Sequence, residues 1–189
     1  MGFSIGCAGT GMGGPRGMID RQAPGSYAVE AGDPQRWFDY VVGPQNWKRW
    51  LMPSREKLWS AARNGPEIEI EPHLEDWPKT AFFGIISCDL AALDVLSKVW
   101  SKGGGEGAGY LYRRSKTLMV AVQCARSAPT CFCASMQTGP HAETGFDLAL
   151  TELDDGEILL TSGTEAGAGA PQPEEAAGAA GKGEEKKEG

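Results

Sequence analysis

The chain has 189 residues and a formal net charge of −7, enough length for one domain with a sizeable core. Residues 163–189 contribute six glutamates and three lysines, so the remainder carries −4, a balance that disfavours a nucleic-acid partner. The chain shows no signal-peptide pattern, no apolar run long enough to cross a membrane and an odd number of cysteines, so we expect a cytoplasmic protein without membrane association.

Residues 1–36 form a lead rich in glycine and proline, in which we expect only partial order. Gly9, Gly11 and Gly14 match the dinucleotide-binding pattern G-x-G-x-x-G. That pattern holds a pyrophosphate only where a strand precedes it and a helix begins within it. Pro15 follows instead of an apolar helix, so we predict a glycine-rich loop and no nucleotide bound by this chain.

Residues 36–65 contain four of the six tryptophans, at positions 37, 47, 50 and 59. We assign most of them to the core, with a docking face around Trp47 and Trp50 as the alternative. The pattern predicts a short strand near 38–42 and a helix that begins near Ser54 and ends at Gly65. The alternating EIEIEP at 67–72 predicts a half-exposed strand.

The clearest unit is a strand, a helix and a second strand. TAFFGIIS at 80–87 and TLMVAVQC at 117–124 are continuous apolar runs, typical of buried central strands. Between them, leucines recur at helical spacing over 88–100, and a short helix is expected near 110–116. Two runs at 146–153 and 157–162, joined through Asp-Asp-Gly, predict a β-hairpin.

These elements predict one α/β domain over residues 37–162 with a mixed sheet. Residues 163–189 contain no large apolar side chain, and such a segment buries too little surface to offset its ordering entropy. We therefore expect a disordered C-terminal tail.

Four of the five cysteines are predicted to meet at one edge of the sheet. Cys88 follows the first central strand and Cys124 ends the second, and parallel neighbours bring these ends together. Cys131 and Cys133 lie in the loop that leaves Cys124. The helix that begins at Cys88 is expected to favour a thiolate there.

The residues alone leave several interpretations of these cysteines open. Four thiolates suit one 4Fe–4S cluster or one structural zinc, and the absence of C-x-x-C pairs favours the cluster over zinc. Inert buried cysteines are a further alternative. A cysteine–histidine enzyme using His141 lacks a third residue to orient the pair.

Three segments carry a family resemblance: 40–59 (YVVGPQNWKRWLMPSREKLW), 82–100 (FFGIISCDLAALDVLSKVW) and 117–156, which contains QCARSAPTCFCASMQTGP. Together they resemble the β (iron–sulfur) subunits of cytosolic sulfhydrogenases and the A subunit of anaerobic sulfite reductase, over roughly residues 18–165. The resemblance implies that Cys88, Cys124, Cys131 and Cys133 ligate one 4Fe–4S cluster. Cys7 matches nothing in the family.

The resemblance also implies a role. Family members are non-catalytic electron carriers that lie between a flavin subunit using NAD(P)H and a catalytic subunit. They normally end in a ferredoxin module with two cysteine-rich runs, and this sequence contains none. We therefore expect a truncated member that transfers electrons to those subunits or to a separate ferredoxin module. The alternative is a redox-inert interaction module, with or without a structural zinc.

Overall fold

The computed structural model describes residues 16–41, 43, 47–73, 76–102 and 107–169. Cys7, the glycine pattern at residues 9–14 and the predicted tail beyond Gly169 therefore lie outside the described residues. The elements, in chain order, are β1 (Met18–Ala23), β2 (Ser26–Ala31), α1 (Lys48–Leu51), β3 (Trp59–Asn64), β4 (Glu67–Pro72), β5 (Thr80–Ile85), α2 (Ser87–Lys102), α3 (Ala108–Ser115), β6 (Thr117–Val122), β7 (Leu148–Glu152), β8 (Ile158–Ser162) and α4 (Glu165–Ala168).

The centre of the fold is a four-stranded mixed sheet in the order β5-β6-β7-β8. Strand β6 pairs in parallel with both β5 and β7, and β8 pairs antiparallel with β7. The predicted strand–helix–strand unit, the hairpin at the end of the sheet and the α/β class are confirmed. Because β5 and β6 are parallel, the segments that follow them leave from the same edge of the sheet.

Both faces of the sheet are covered, which explains the continuous apolar runs of β5 and β6. Helices α1, α2 and α3 cover one face, where Trp47, Leu51, Phe82 and Leu93 form part of the larger core cluster. On the other face, a segment without regular structure contributes Phe38 and Tyr40 against alternate residues of β6. Phe38 and Val41 are buried in this segment, although the strand predicted there does not form in its described part, residues 38–41.

A bulge interrupts the register of β5 at Gly84. Gly84 has a φ of 87°, and its carbonyl oxygen accepts a hydrogen bond of 3.0 Å from the Tyr40 hydroxyl. A Cβ at this position would lie 2.7 Å from the same hydroxyl oxygen. Glycine is therefore required here both for its backbone conformation and for the close approach of Tyr40.

Two β-hairpins form in segments for which the sequence predicted irregular structure or a helix. Strands β1 and β2 pair within the lead that was expected to be largely irregular. The helix predicted from Ser54 to Gly65 is wrong: β3 occupies its second half and pairs antiparallel with β4 across a turn at Gly65, whose φ is 65°. Strand pairing overrides helix propensity in this segment.

A buried arginine holds the segment before β3. The Arg113 Nε donates to the carbonyl oxygen of Leu51 at 2.8 Å, and its two Nη atoms donate to the Glu56 carboxylate at 2.8 and 3.0 Å. These hydrogen bonds lower the pKa of Glu56. The contacts anchor residues 51–56 to α3 and compete with a helix there.

The remaining corrections concern the tryptophans and the tail. Trp47 is buried in the core, whereas Trp37, Trp50 and Trp59 are exposed. The first residues of the predicted tail are ordered, because α4 forms there with Thr164 as its N-cap. Among the described residues, no helix has the length and apolar character needed to cross a membrane.

Candidate functional site

The structure brings the four predicted cysteines together at the carboxyl edge of the parallel strands. Cys88 is the second residue of α2, directly after β5, and Cys124 lies two residues beyond the end of β6. Negative charge on Cys124 or Cys133 would raise the pKa of Cys88, and negative charge on Cys131 or Cys133 would raise the pKa of Cys124, so these sulfurs lie within electrostatic range of one another. All four are free thiols. Residues from three parts of the sequence therefore form one electrostatically coupled group.

The two thiols at the strand ends are strongly shifted. Burial raises the pKa of Cys88 to about 12, and the charges of Asp89, Cys124 and Cys133 add to the rise. The backbone N–H of Cys88 lowers this pKa, as expected at a helix N-terminus, but burial outweighs it. Burial likewise raises the pKa of Cys124 to about 11. In the metal-free protein, both thiols are therefore protonated at neutral pH.

The loop that contains Cys131 and Cys133 is folded by its own backbone. The Cys131 N–H donates to the carbonyl oxygen of Ala128 at 2.9 Å, and the Ala128 N–H donates to the Cys131 Sγ at 3.2 Å. The Thr138 N–H donates to the carbonyl oxygen of Cys133 at 2.9 Å. Cys131 is exposed, whereas Cys133 is half-buried, as Cys88 and Cys124 are.

The loop is closed at its base by Gln123 and Ser87. The Gln123 side chain accepts from the Ala142 N–H at 2.8 Å and donates to the Ala142 carbonyl oxygen at 3.2 Å. The Ser87 hydroxyl donates to the carbonyl oxygen of Pro140 at 3.1 Å. A Cβ on Gly139 would overlap this hydroxyl. The returning loop is therefore packed directly against the start of α2, beside Cys88.

Arg126 attaches the loop to the N-terminal hairpin. Its guanidinium pairs with the Asp20 carboxylate and donates to the Asp20 carbonyl oxygen at 2.5 Å and to Asp39 Oδ1 at 2.6 Å. Asp20 is buried and also accepts from the Val41 N–H at 3.0 Å. Sequence reasoning missed this cluster, because its members lie 87 and 106 residues from Arg126 and no local pattern connects them.

A cavity of about 550 Å³ opens onto the group. Cys88, Cys131 and Cys133 line it together with apolar side chains, among them Val95, Phe132 and Met136. Phe132 and Met136 belong to the cysteine loop and are largely exposed. His141 is also exposed and lines a different cavity, so the cysteine–histidine alternative gains no support.

Asp89 is an acidic neighbour of the cysteines that sequence reasoning did not select. The Trp47 Nε1 donates to Asp89 Oδ2 at 3.2 Å, and burial raises the pKa of this carboxyl to about 6 despite that hydrogen bond. Asp89 also lines the cavity. Its negative charge raises the pKa values of Cys88 and Cys124 further.

The described residues contain no group of three or more histidine, cysteine or acidic side chains arranged to hold a single metal ion. A structural zinc needs its thiolates at about 2.3 Å from one centre, so this arrangement does not support the zinc alternative. In a cubane, each cysteine ligates a different iron, and the thiolates stand further apart. Three of the four cysteines line one open cavity, the space that a cluster would need.

Comparison with known proteins gives one partial similarity. No family model matches the chain, and no solved structure matches it. A stretch of 81 residues is 36% identical to part of the sulfhydrogenase 2 subunit β of Pyrococcus furiosus. The match covers 43% of this chain and 23% of that protein. This chain is thus similar, over less than half of its length, to a limited part of a sulfhydrogenase β subunit.

Proposed function

We propose that this chain is an accessory electron-transfer subunit of an oxidoreductase complex, in which Cys88, Cys124, Cys131 and Cys133 hold one 4Fe–4S cluster. The observation that carries the proposal is geometric: Cys88 and Cys124 follow neighbouring parallel strands, and Cys88, Cys131 and Cys133 line one cavity at that edge of the sheet. The partial similarity to a sulfhydrogenase β subunit supports the oxidoreductase complex. We propose no catalytic step on this chain.

When bound, such a cluster accepts and donates single electrons. The chain's own residues would fix the ligands and limit access of water. Gln123 and Ser87 hold the base of the loop, and the Ala128 N–H bonded to the Cys131 Sγ stabilises negative charge on that sulfur. Phe132 and Met136 would form an apolar rim that lowers the local dielectric.

Loading the site requires the thiols to lose their protons. Because burial raises the pKa values of Cys88 and Cys124, deprotonation at neutral pH must be driven by the metal. The folded-state pKa of each thiol lies above its usual 9.0. Protonation of each thiol therefore stabilises the metal-free fold below pH 9. This stabilisation is lost as the pH rises through the folded-state pKa values of about 11 and about 12.

The partners follow from the family resemblance. We propose that the chain exchanges electrons with a flavin subunit that uses NAD(P)H and with a catalytic subunit, or with a separate ferredoxin module. The cavity opens beside the exposed Cys131, which provides an approach for such a partner. Electron transfer needs only close approach of the two centres, and this side of the group is open.

The test is anaerobic reconstitution of the full chain with ferrous iron and sulfide. The proposal predicts about four irons per chain, a brown colour and reversible bleaching by dithionite. The Cys7→Ser variant is the matched control and should behave as the unmodified chain. A colourless product that keeps its titratable thiols would contradict the proposal.

A second candidate is a redox-inert interaction module with the same fold. The observation that favours it is that the described residues contain no group of three or more histidine, cysteine or acidic side chains arranged to hold a metal ion. The reconstitution experiment separates the two, because an inert module takes up no stoichiometric iron and sulfide.

A further inference from the structure

We infer that a cavity at the base of the β3–β4 hairpin is an oxyanion-binding site, which takes a phosphate group between Arg55, Lys57 and His73. These three side chains and Glu56 line a cavity of about 350 Å³. Arg55, Lys57 and His73 are exposed, so a ligand can reach them from solvent. We call this cavity the basic cleft.

Two separate segments bring the three side chains of the basic cleft together. Arg55 and Lys57 lie in the segment before β3, and His73 directly follows β4. The His73 N–H donates to the carbonyl oxygen of Leu58 at 2.8 Å, which continues the pairing of the hairpin by one residue at its base. This hydrogen bond holds His73 next to the segment that carries Arg55 and Lys57.

Glu56, the carboxylate that lines the basic cleft, is already neutralised. Its two oxygens accept hydrogen bonds from the guanidinium of Arg113, whose side chain is buried. The carboxylate also packs against Gly109 of α3, where a Cβ would overlap it. These contacts fix the backbone between Arg55 and Lys57 on the body of the fold. The basic cleft therefore has a fixed frame and an excess of positive charge.

The cations of the basic cleft have no acidic partner of their own. In the part of the chain that the structure describes, Arg55, Lys57 and His73 form no ion pair. The chain as a whole carries −7, so two neighbouring unpaired cations are a local exception. Guanidinium and ammonium groups bind phosphate oxygens through charge-assisted hydrogen bonds, and an imidazole can donate another. A phosphate group therefore supplies the negative charge that this cavity lacks.

The basic cleft is separate from the cysteine group, because no residue lines both cavities. The inference therefore does not depend on the proposed cluster. Free inorganic phosphate and a phosphate group at the end of a larger molecule both offer the required oxyanion. The cavity is open to solvent, so both can enter it.

A titration of the full, metal-free chain with inorganic phosphate tests the inference, at constant ionic strength and with a reductant present. Amide-resolved nuclear magnetic resonance follows the binding. We expect saturable shifts of the Arg55, Lys57 and His73 signals, with a dissociation constant of about 1 mM. Pyrophosphate distinguishes the two sources. Tighter binding than phosphate indicates the end of a larger molecule, and equal or weaker binding indicates free phosphate.

Two variants that each remove one positive charge separate a site from general attraction. Lys57→Gln should weaken phosphate binding about fivefold, because one charge beside the ligand is lost. Arg63→Gln, at the opposite end of β3, is the matched control and should change the affinity by less than about twofold. Shifts that stay linear with phosphate concentration in the unmodified chain would overturn the inference. An equal loss in both variants would also overturn it, because binding would then follow overall charge alone.

Discussion

Strands β6 and β4 have the same length but differ in what covers them. Five of the six residues of β6 are buried, between two neighbouring strands and two packed faces. All six residues of β4 are exposed, and in the described part of the chain it pairs with β3 alone. Burial fixes the ends of β6, so Cys124 and the loop beyond it have a defined position. The hairpin instead retains an uncovered apolar face.

The comparison predicts its largest difference for truncation of an apolar side chain in each region. Phe82→Ala removes a fully buried ring from the sheet and should lower the free energy of unfolding by about 3–5 kcal/mol. Ile68→Ala removes an exposed side chain from the hairpin and should cost under about 1 kcal/mol. Urea unfolding measures both. Equal losses would show that the hairpin packs on the body.

The attachment of the cysteine loop should depend on Arg126. Arg126→Gln leaves the buried Asp20 carboxylate without its cation and should cost about 3 kcal/mol. The variant should also expose the loop, so alkylation of Cys133 should become faster. Asp20→Asn combined with Arg126→Gln removes the unpaired charge and should recover part of the loss. An unchanged stability of the single variant would mean that the cluster does not hold the loop.

Two glycines with positive φ, one in the central sheet and one in the β3–β4 hairpin, test the comparison between these regions. Gly84→Ala in β5 introduces backbone strain and also displaces the Tyr40 hydroxyl, whereas Gly65→Ala in the hairpin turn meets no atom within 4 Å. We expect losses of about 1–2 kcal/mol at Gly65 and about 1 kcal/mol more at Gly84. In a Tyr40→Phe background, where the hydroxyl is already absent, Gly84→Ala should cost about as much as Gly65→Ala. A larger loss at Gly65 would contradict this account.

Burial decided which parts of the fold could be predicted from the sequence. Apolar runs in β5 and β6 and the leucine spacing of α2 reflect packing on both faces of the sheet, so the sequence pattern and the structure agree. The grouping of the cysteines followed from the parallel pairing of those strands. Elements at the surface lack this constraint, and the helix predicted from Ser54 was wrong because pairing with β4 prevailed.

The interactions that hold the cysteine loop were beyond prediction for a different reason. Arg126 and Asp20 are charged residues of a kind usually found at the surface. Only the folded chain shows that Asp20 is buried. The pKa of Cys88 was also misjudged, because the helix N-terminus was apparent from the sequence while the depth of burial was not. Long-range contacts and desolvation depend on the assembled fold.

The smallest expected effect concerns the C-terminal tail. Truncation after Gly169 removes residues without a large apolar side chain and should leave the melting temperature unchanged. Truncation after Gly163 also removes Thr164, whose hydroxyl donates to Asp147 Oδ1 at 2.6 Å and caps α4. Loss of this cap should lower the melting temperature by about 2–4 °C. Equal melting temperatures of the two truncated chains would show that α4 adds no stability.

The most direct test of the four-cysteine site is the iron content of Cys88→Ser after anaerobic reconstitution. Cys88 belongs to α2, and only the parallel sheet brings it to the loop that contains Cys131 and Cys133. The account predicts that Cys88→Ser loses most of its iron and its brown colour, as Cys131→Ser does, because serine is a poor ligand for a cluster iron. Full iron in Cys88→Ser together with loss in Cys131→Ser would contradict the four-cysteine site.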